Sequence, residues 1–222
     1  MRPKSEQESM TQANDLSAIL VSRICHDLVS PIGAIVNGVD LVREIGGGDV
    51  DAELAMISQS SNRASGLLQY YRIAFGAASE DSEVSRNALR DQAISFIGSP
   101  RIVVEWTADN GPHLKRPLSR LLYQMLMCAR GLSGMRSVIS VDLPGDASLP
   151  LRISIESEGS PDSAEMLDIL SGEAEGIIPT PRLIEFVLAR NSAHALGLKL
   201  NVHRGDGRIL MEVARVRAAM PA

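Results

Sequence analysis

The sequence predicts an α+β protein: an N-terminal helical hairpin that two chains assemble into a dimeric four-helix bundle, followed by an α/β sandwich. Three observations carry that prediction. Apolar residues recur at helical spacing over 16–44 and again over 51–76, with only a glycine run between them. Beyond residue 85, short helical patterns mix with β-branched runs, as in one layer of helices on one sheet. The composition is 45% apolar but only 3% aromatic, so the core must be built from Leu, Ile, Val, Ala and Met, which suits closely packed helices.

The elements follow in order. Residues 1–15 are polar and without apolar period, and read as a frayed, disordered tail. In 16–44, Leu16, Leu20, Ile24, Leu28, Pro31, Ile35, Val39 and Val42 recur at steps of three or four. Asn14 or Asp15 can cap this helix, and Gly46, Gly47 and Gly48 end it. The second helix, 51–76, has a buried face marked by Leu54, Ile57, Ser61, Ala64, Leu68, Tyr71 and Phe75. A second stripe on the first helix, Val21, Cys25, Val29, Ile32 and Val36, is more apolar surface than one hairpin can bury. It asks for a second chain, hence a homodimer.

The hairpin domain is therefore 16–77, a linker covers 77–84, and the sandwich domain is 85–220. Within the sandwich the patterns predict helices over 85–97, 117–132, 163–170 and 180–195. They predict strands over 101–106, 137–143, 151–156, 199–203 and 208–216. Gly205-Asp206-Gly207 joins the last two strands as a hairpin.

Charge and cysteine usage exclude several classes. Lys and Arg number 22 against 27 Asp and Glu, a net charge of −5. An acidic chain with no basic tract and few aromatics is not expected to bind nucleic acid. Two cysteines make no disulfide scaffold and no zinc pair. Met1–Asp15 lacks the apolar core of a signal peptide, and no uninterrupted apolar run of about 18 residues suggests a membrane span. A cytoplasmic protein is expected.

His26 is the residue that could carry chemistry. It lies two positions from both Ile24 and Leu28, a rotation of about 200°, and so points away from the buried stripe. Its face reads Ser22, Arg23, His26, Ser30, Gly33 and Asn37. Gly33 and Gly38 each cost the helix about 1 kcal/mol relative to Ala, which suggests that something approaches the surface closely. Arg23 could neutralise added negative charge. Pro31 removes one helical hydrogen bond just past His26. Asp27 could hold the imidazole in one tautomer, leaving a neutral ring as nucleophile.

The run Ile24-Cys25-His26-Asp27-Leu28-Val29-Ser30-Pro31-Ile32-Gly33-Ala34-Ile35 resembles the phosphoacceptor helix of sensor histidine kinases. His26, Asp27, Ser30 and Pro31 match its ordered positions, with Ser30 where Thr or Asn is usual. The element order of 85–220 resembles a degenerate form of that family's Bergerat-type ATP-binding domain. Its nucleotide motifs are broken. Gln124 and Cys128 stand where two Asn would be, Ser157 replaces the adenine-reading Asp, and Pro161 replaces a Gly. Ile178-Pro179-Thr180-Pro181-Arg182 carries no glycine with which to cradle phosphate.

A phosphoacceptor hairpin with a degenerate ATP-binding domain resembles the ChpT family of histidine phosphotransferases. The resemblance implies that His26 takes a phosphoryl group from a receiver aspartate of a hybrid histidine kinase. It passes the group to a response-regulator receiver in cell-cycle control. The receiver supplies Mg2+, and this chain needs no cofactor or metal. His26, Asp27 and Ser30 would be catalytic, and Ser22, Arg23, Gly33 and Asn37 would dock the receiver. Two other readings stand beside it: a histidine kinase with an unorthodox ATP site, and a non-catalytic receiver-binding adaptor. His113, His194 and His203 lack metal-ligand spacing, and Cys25 and Cys128 read as small core residues.

Overall fold

The computed structural model describes the chain except at residues 1–3, 47, 78–80, 108–110, 145–149, 160–162, 175–176, 206 and 216–222, with side chains from residue 15 onward. Its contacts divide it into two compact units. One is Met1–Tyr71 with Pro179–Ile184; the other is Arg72–Ile178 with Glu185–Ala222.

The first unit is built on helices α1 (Lys4–Ile45) and α2 (Asp51–Ala74). The expected tail and the caps at Asn14 or Asp15 are displaced, because α1 runs back to Lys4. Glu, Gln, Met and Ala in that stretch are good helix formers, and extending an existing helix needs no new nucleus. Gly46, at φ +62°, closes α1 in the left-handed conformation. The Asp49 carboxylate accepts the Asp51 N–H at 3.1 Å, and Asp51 and Glu53 place negative charge in the first turn of α2.

The stripe from Leu16 to Val42 is half-buried or buried throughout, as its period requires. The second stripe is open: Val21, Cys25, Val29, Ile32 and Val36 are all exposed, Val29 at 68%. The predicted inner face of α2 needs correction. Leu54 and Leu68 are exposed, while Leu67, Tyr70, Tyr71, Ile73 and Ala74 are buried. Leu54 and Leu68 therefore add to the unpartnered apolar surface. By length and composition alone, Asp15–Ile45 is apolar enough to cross a membrane, although it lacks an uninterrupted run. Arg23, His26 and Asp27 interrupt it, and a charge at a bilayer centre costs about 2.5–3.5 kcal/mol on insertion scales.

The second unit opens on β1 (Glu83–Val84) and α3 (Arg86–Ile97), then β2 (Ile102–Trp106), β3 (Leu114–Lys115) and α4 (Arg116–Leu132). It continues through β4 (Arg136–Asp142), β5 (Leu151–Glu158), α5 (Ala164–Ser171), α6 (Ile184–Ala195), β6 (Leu198–Gly205) and β7 (Arg208–Arg215). The main sheet has the order β2-β4-β5-β7-β6, with only the β2–β4 pair parallel. β1 and β3 form a two-stranded ribbon that the sequence pattern did not reveal. Helix α6 starts at Ile184 rather than Thr180, since Pro181 falls in a turn where Leu183 and Ile184 donate to the Thr180 carbonyl.

One face of the sheet is apolar. Ile139, Val141, Ile153, Ile155, Met211 and Val213 are buried with Leu121, Leu122, Met125, Leu126 and Ala129 of α4. The other face is polar and is laced by cross-strand pairs, Arg152–Glu212 at 2.6 Å and Arg208–Glu156 at 3.6 Å, which sit directly opposite in the β5–β7 register. Within the second unit, which begins at Arg72, α4 meets carbonyls in the last turn of α2, which a helix leaves without internal partners, and just beyond it. Gln124 Nε2 donates to Ala74 at 2.8 Å, Arg120 to Gly76 at 2.9 Å, and Arg116 to Arg72.

Candidate functional site

Helix α1 is long enough to display His26 at mid-length, and the buried stripe fixes which way the side chain points. The imidazole is 81% exposed, whereas the adjoining Asp27 carboxylate is only 17% exposed. His26 Nδ1 lies 3.2 Å from Asp27 Oδ1. The other carboxylate oxygen, Oδ2, lies 3.2 Å from Arg23 Nε and accepts the Tyr71 hydroxyl at 2.5 Å. Arg23 is one helical turn from Asp27, the spacing at which a pair can meet. Tyr71 comes from the last turns of α2, 44 residues away in sequence.

This geometry has a plain chemical meaning. With Nδ1–H donated to Asp27, the Nε2 lone pair faces solvent. Asp27 is held on one side by a cation and a phenol, so its second oxygen is presented to the ring. Pro31 offers no N–H to the Asp27 carbonyl one turn earlier, yet the helix runs through it unbroken.

The other expected residues separate into two groups. Ser22, Ser30 and Asn37 are exposed with His26, and Gly33 has open space where a Cβ would stand. Gly38 is different: a Cβ there would come within 2.6 Å of Ile57 Cγ1, so its close neighbour is α2 and not an incoming surface. Arg23 is turned toward Asp27 and belongs to the carboxylate's surroundings. The helical period places Tyr71 only as a buried position of the second helix. The sequence signal that could have found it is a tyrosine in an apolar register, since a buried hydroxyl needs a partner.

At three of the positions compared with nucleotide motifs, Gln124, Cys128 and Ser157, the side chains are taken up within the protein. Gln124 is buried with its amide on the Ala74 carbonyl. Cys128 is fully buried, and burial, with Glu185 nearby, pushes its thiol well above the usual range. Cys25, by contrast, is exposed, which corrects its expected place among small core residues. Ser157 shares a hydrogen bond with Ser137 at 2.8 Å, and its Oγ accepts the Gly134 N–H. Ser157 also lines an open groove of about 710 Å³ with Arg136 and Arg208. Ser160 and Pro161 lie outside the described residues. Among the described residues no group of three His, Cys, Asp or Glu could hold a metal ion.

No protein-family model matches the chain. The protein phosphotransferase ChpT of Brucella abortus is 32% identical over 195 residues, which are 86% of this chain and 91% of that protein. A solved bacterial phosphotransferase is similar at a TM-score of 0.73 and 28% identity, over 91% of this chain and 97% of that one. The histidine kinase domain of a blue-light activated kinase from Erythrobacter litoralis stands further off, at a TM-score of 0.45 and 17% identity, over 86% of this chain and 94% of that one.

Proposed function

This chain belongs to the ChpT family of protein phosphotransferases, and from that membership we propose that it is the histidine phosphotransferase of a bacterial phosphorelay. His26 takes a phosphoryl group from the receiver aspartate of a hybrid histidine kinase and gives it to the receiver aspartate of a response regulator. The observation that carries this reading is an 81% exposed imidazole whose Nδ1 is held by a mostly buried carboxylate.

In the forward step the Nε2 lone pair attacks phosphorus. The bond from phosphorus to the donor carboxylate oxygen breaks, and its electron pair leaves with that carboxylate. The Nδ1 proton stays on the ring, where Asp27 offsets the positive charge that develops as the N–P bond forms. Transfer of this kind needs positioning more than covalent help, so magnesium and the acidic pocket are the receiver's contribution. Ser22, Ser30, Gly33 and Asn37 line the approach, and Ser30 is placed one turn from His26 to meet a phosphoryl oxygen or water.

The reading excludes ATP as a donor. Its support is the buried, committed state of Gln124 and Cys128 and the two prolines between Ile178 and Arg182. It also takes the active form to be a cytoplasmic homodimer; the support for a second copy is the stripe of α1 that stays exposed among the described residues.

The test mixes the purified protein with a labelled phosphorylated receiver, and separately with labelled ATP and magnesium. Label should pass from the receiver and not from ATP, and His26→Ala should accept none. Transfer to His26→Ala would overturn the reading. Labelling from ATP selects an unorthodox kinase, and receiver binding without phosphohistidine selects an adaptor.

A further inference from the structure

We propose that Tyr71 is a positioning residue for His26: its hydroxyl holds Asp27 in the orientation that keeps the imidazole proton on Nδ1 and leaves Nε2 free to attack. The inference rests on the reading of His26 as phosphoacceptor and adds a residue from the second helix to that site.

The geometry assigns each oxygen of Asp27 a separate task. Oδ2 takes the Tyr71 hydroxyl and faces Arg23, while Oδ1 faces His26 Nδ1 at 3.2 Å. A free carboxylate rotates about its last torsion, which is broad and roughly two-fold. Arg23 restrains that rotation only from a side chain on the same helix, and such pairs are individually weak. The Tyr71 hydroxyl reaches across from α2, and its ring is rigidly placed. Tyr71 is 5% exposed and meets Tyr70, itself fully buried, edge to face at 6.5 Å. An exposed histidine has nothing of its own to fix its tautomer. A buried phenol acting through a carboxylate supplies that fix without occupying the face where a receiver would dock.

The expected effects follow from that chain of contacts. Tyr71→Phe deletes one oxygen and keeps the buried ring. It should slow phosphoryl transfer roughly tenfold at saturating receiver, as loss of one hydrogen bond to an orienting charge implies. Half-saturation by the receiver should not change, because Tyr71 is buried behind Asp27 and offers the receiver no surface. In an Asp27→Ala background, which removes the acceptor altogether, the same change should have no further effect, since Tyr71 acts through Asp27. Nitrogen-15 NMR of His26, at a pH where the ring is neutral, should show Nδ1–H dominant in the wild type and a shift toward Nε2–H in Tyr71→Phe.

Unchanged tautomer and unchanged rate in Tyr71→Phe, with the wild type transferring normally, would overturn the proposal and leave the phosphotransferase reading standing. A full tenfold loss in the Asp27→Ala background would also overturn it, by showing that Tyr71 acts independently. If instead the wild type accepts nothing from any receiver, the functional reading fails. The tautomer measurement still decides whether Tyr71 orients the Asp27–His26 pair.

Discussion

Gly33 and Gly38 sit on one helix and meet opposite circumstances. A Cβ at Gly33 touches nothing within 4 Å, while one at Gly38 would press to 2.6 Å against Ile57 Cγ1 and 3.0 Å against Met56 Cε. Gly33→Ala should therefore stabilise the chain by up to about 1 kcal/mol through helix propensity alone. Gly38→Ala gains the same propensity but overpacks a helix contact, which costs about 1–3 kcal/mol, so it should be net destabilising. Thermal melts of the two variants should move in opposite directions. Gly33→Leu should keep the fold and block transfer if a receiver docks there; undiminished transfer would remove Gly33 from the docking face. The sequence marked both glycines as needing a reason, but only the register of α2 against α1 separates the reasons. Tyr71 was illegible on the same ground. Its period places it on an inner face, and nothing local says that its hydroxyl meets Asp27, 44 residues earlier.

At the scale of the element, α1 presents two apolar stripes and the hairpin covers one. Both stripes were legible, because the 3.6-residue period sorts Leu16–Val42 from Val21–Val36 without any knowledge of the partner. The start of α1 was not legible, since residues 4–14 are helical without an apolar period. The β1–β3 ribbon was equally hidden, because strands two residues long carry no alternation. The open stripe leads to a prediction. Fully burying a Val or Ile side chain is worth about 1.5–3 kcal/mol, and Val21, Val29, Ile32 and Val36 are all about half exposed or more. A second copy that covers them would also cover Cys25. Light scattering at micromolar concentration should report a dimer, and Val29→Glu should return it to monomer. Cys25 should react slowly with a thiol reagent in the dimer and quickly in Val29→Glu. Cys128, buried with its thiol pushed up, should stay inert in both until the chain unfolds. A wild type that is monomeric, with a fast Cys25, would remove the bundle.

At the scale of the whole molecule, the second domain is a sheet packed on helices, and two of the residues compared with nucleotide contacts, Gln124 and Cys128, are buried in it. The fold was legible through strands and helices that pack by ordinary apolar patterning. The departures from the nucleotide motifs at Gln124, Cys128 and Ser157 were legible residue by residue, and they are the ground for proposing that ATP binding is lost. What the sequence did not contain was the new employment of those side chains. Gln124 now holds the last carbonyl of α2 and Ser157 pairs with Ser137. Both contacts depend on tertiary neighbours far away in the chain. If these positions have exchanged ligand binding for internal hydrogen bonds, ATP should add nothing to stability. A ligand at a hundred times its Kd stabilises by about 2.7 kcal/mol, which for a chain of this size raises the melting temperature by roughly 5–10 °C. Millimolar ATP with magnesium should leave the melting curve where it was. A rise of several degrees would mean that the buried amide of Gln124 lets go of Ala74 to admit nucleotide, and it would return the kinase reading to first place. The unphosphorylated receiver, added under the same conditions, should raise the melting temperature in the wild type and less in Gly33→Leu. The expected pattern is a protein stabilised by its protein partner and indifferent to nucleotide.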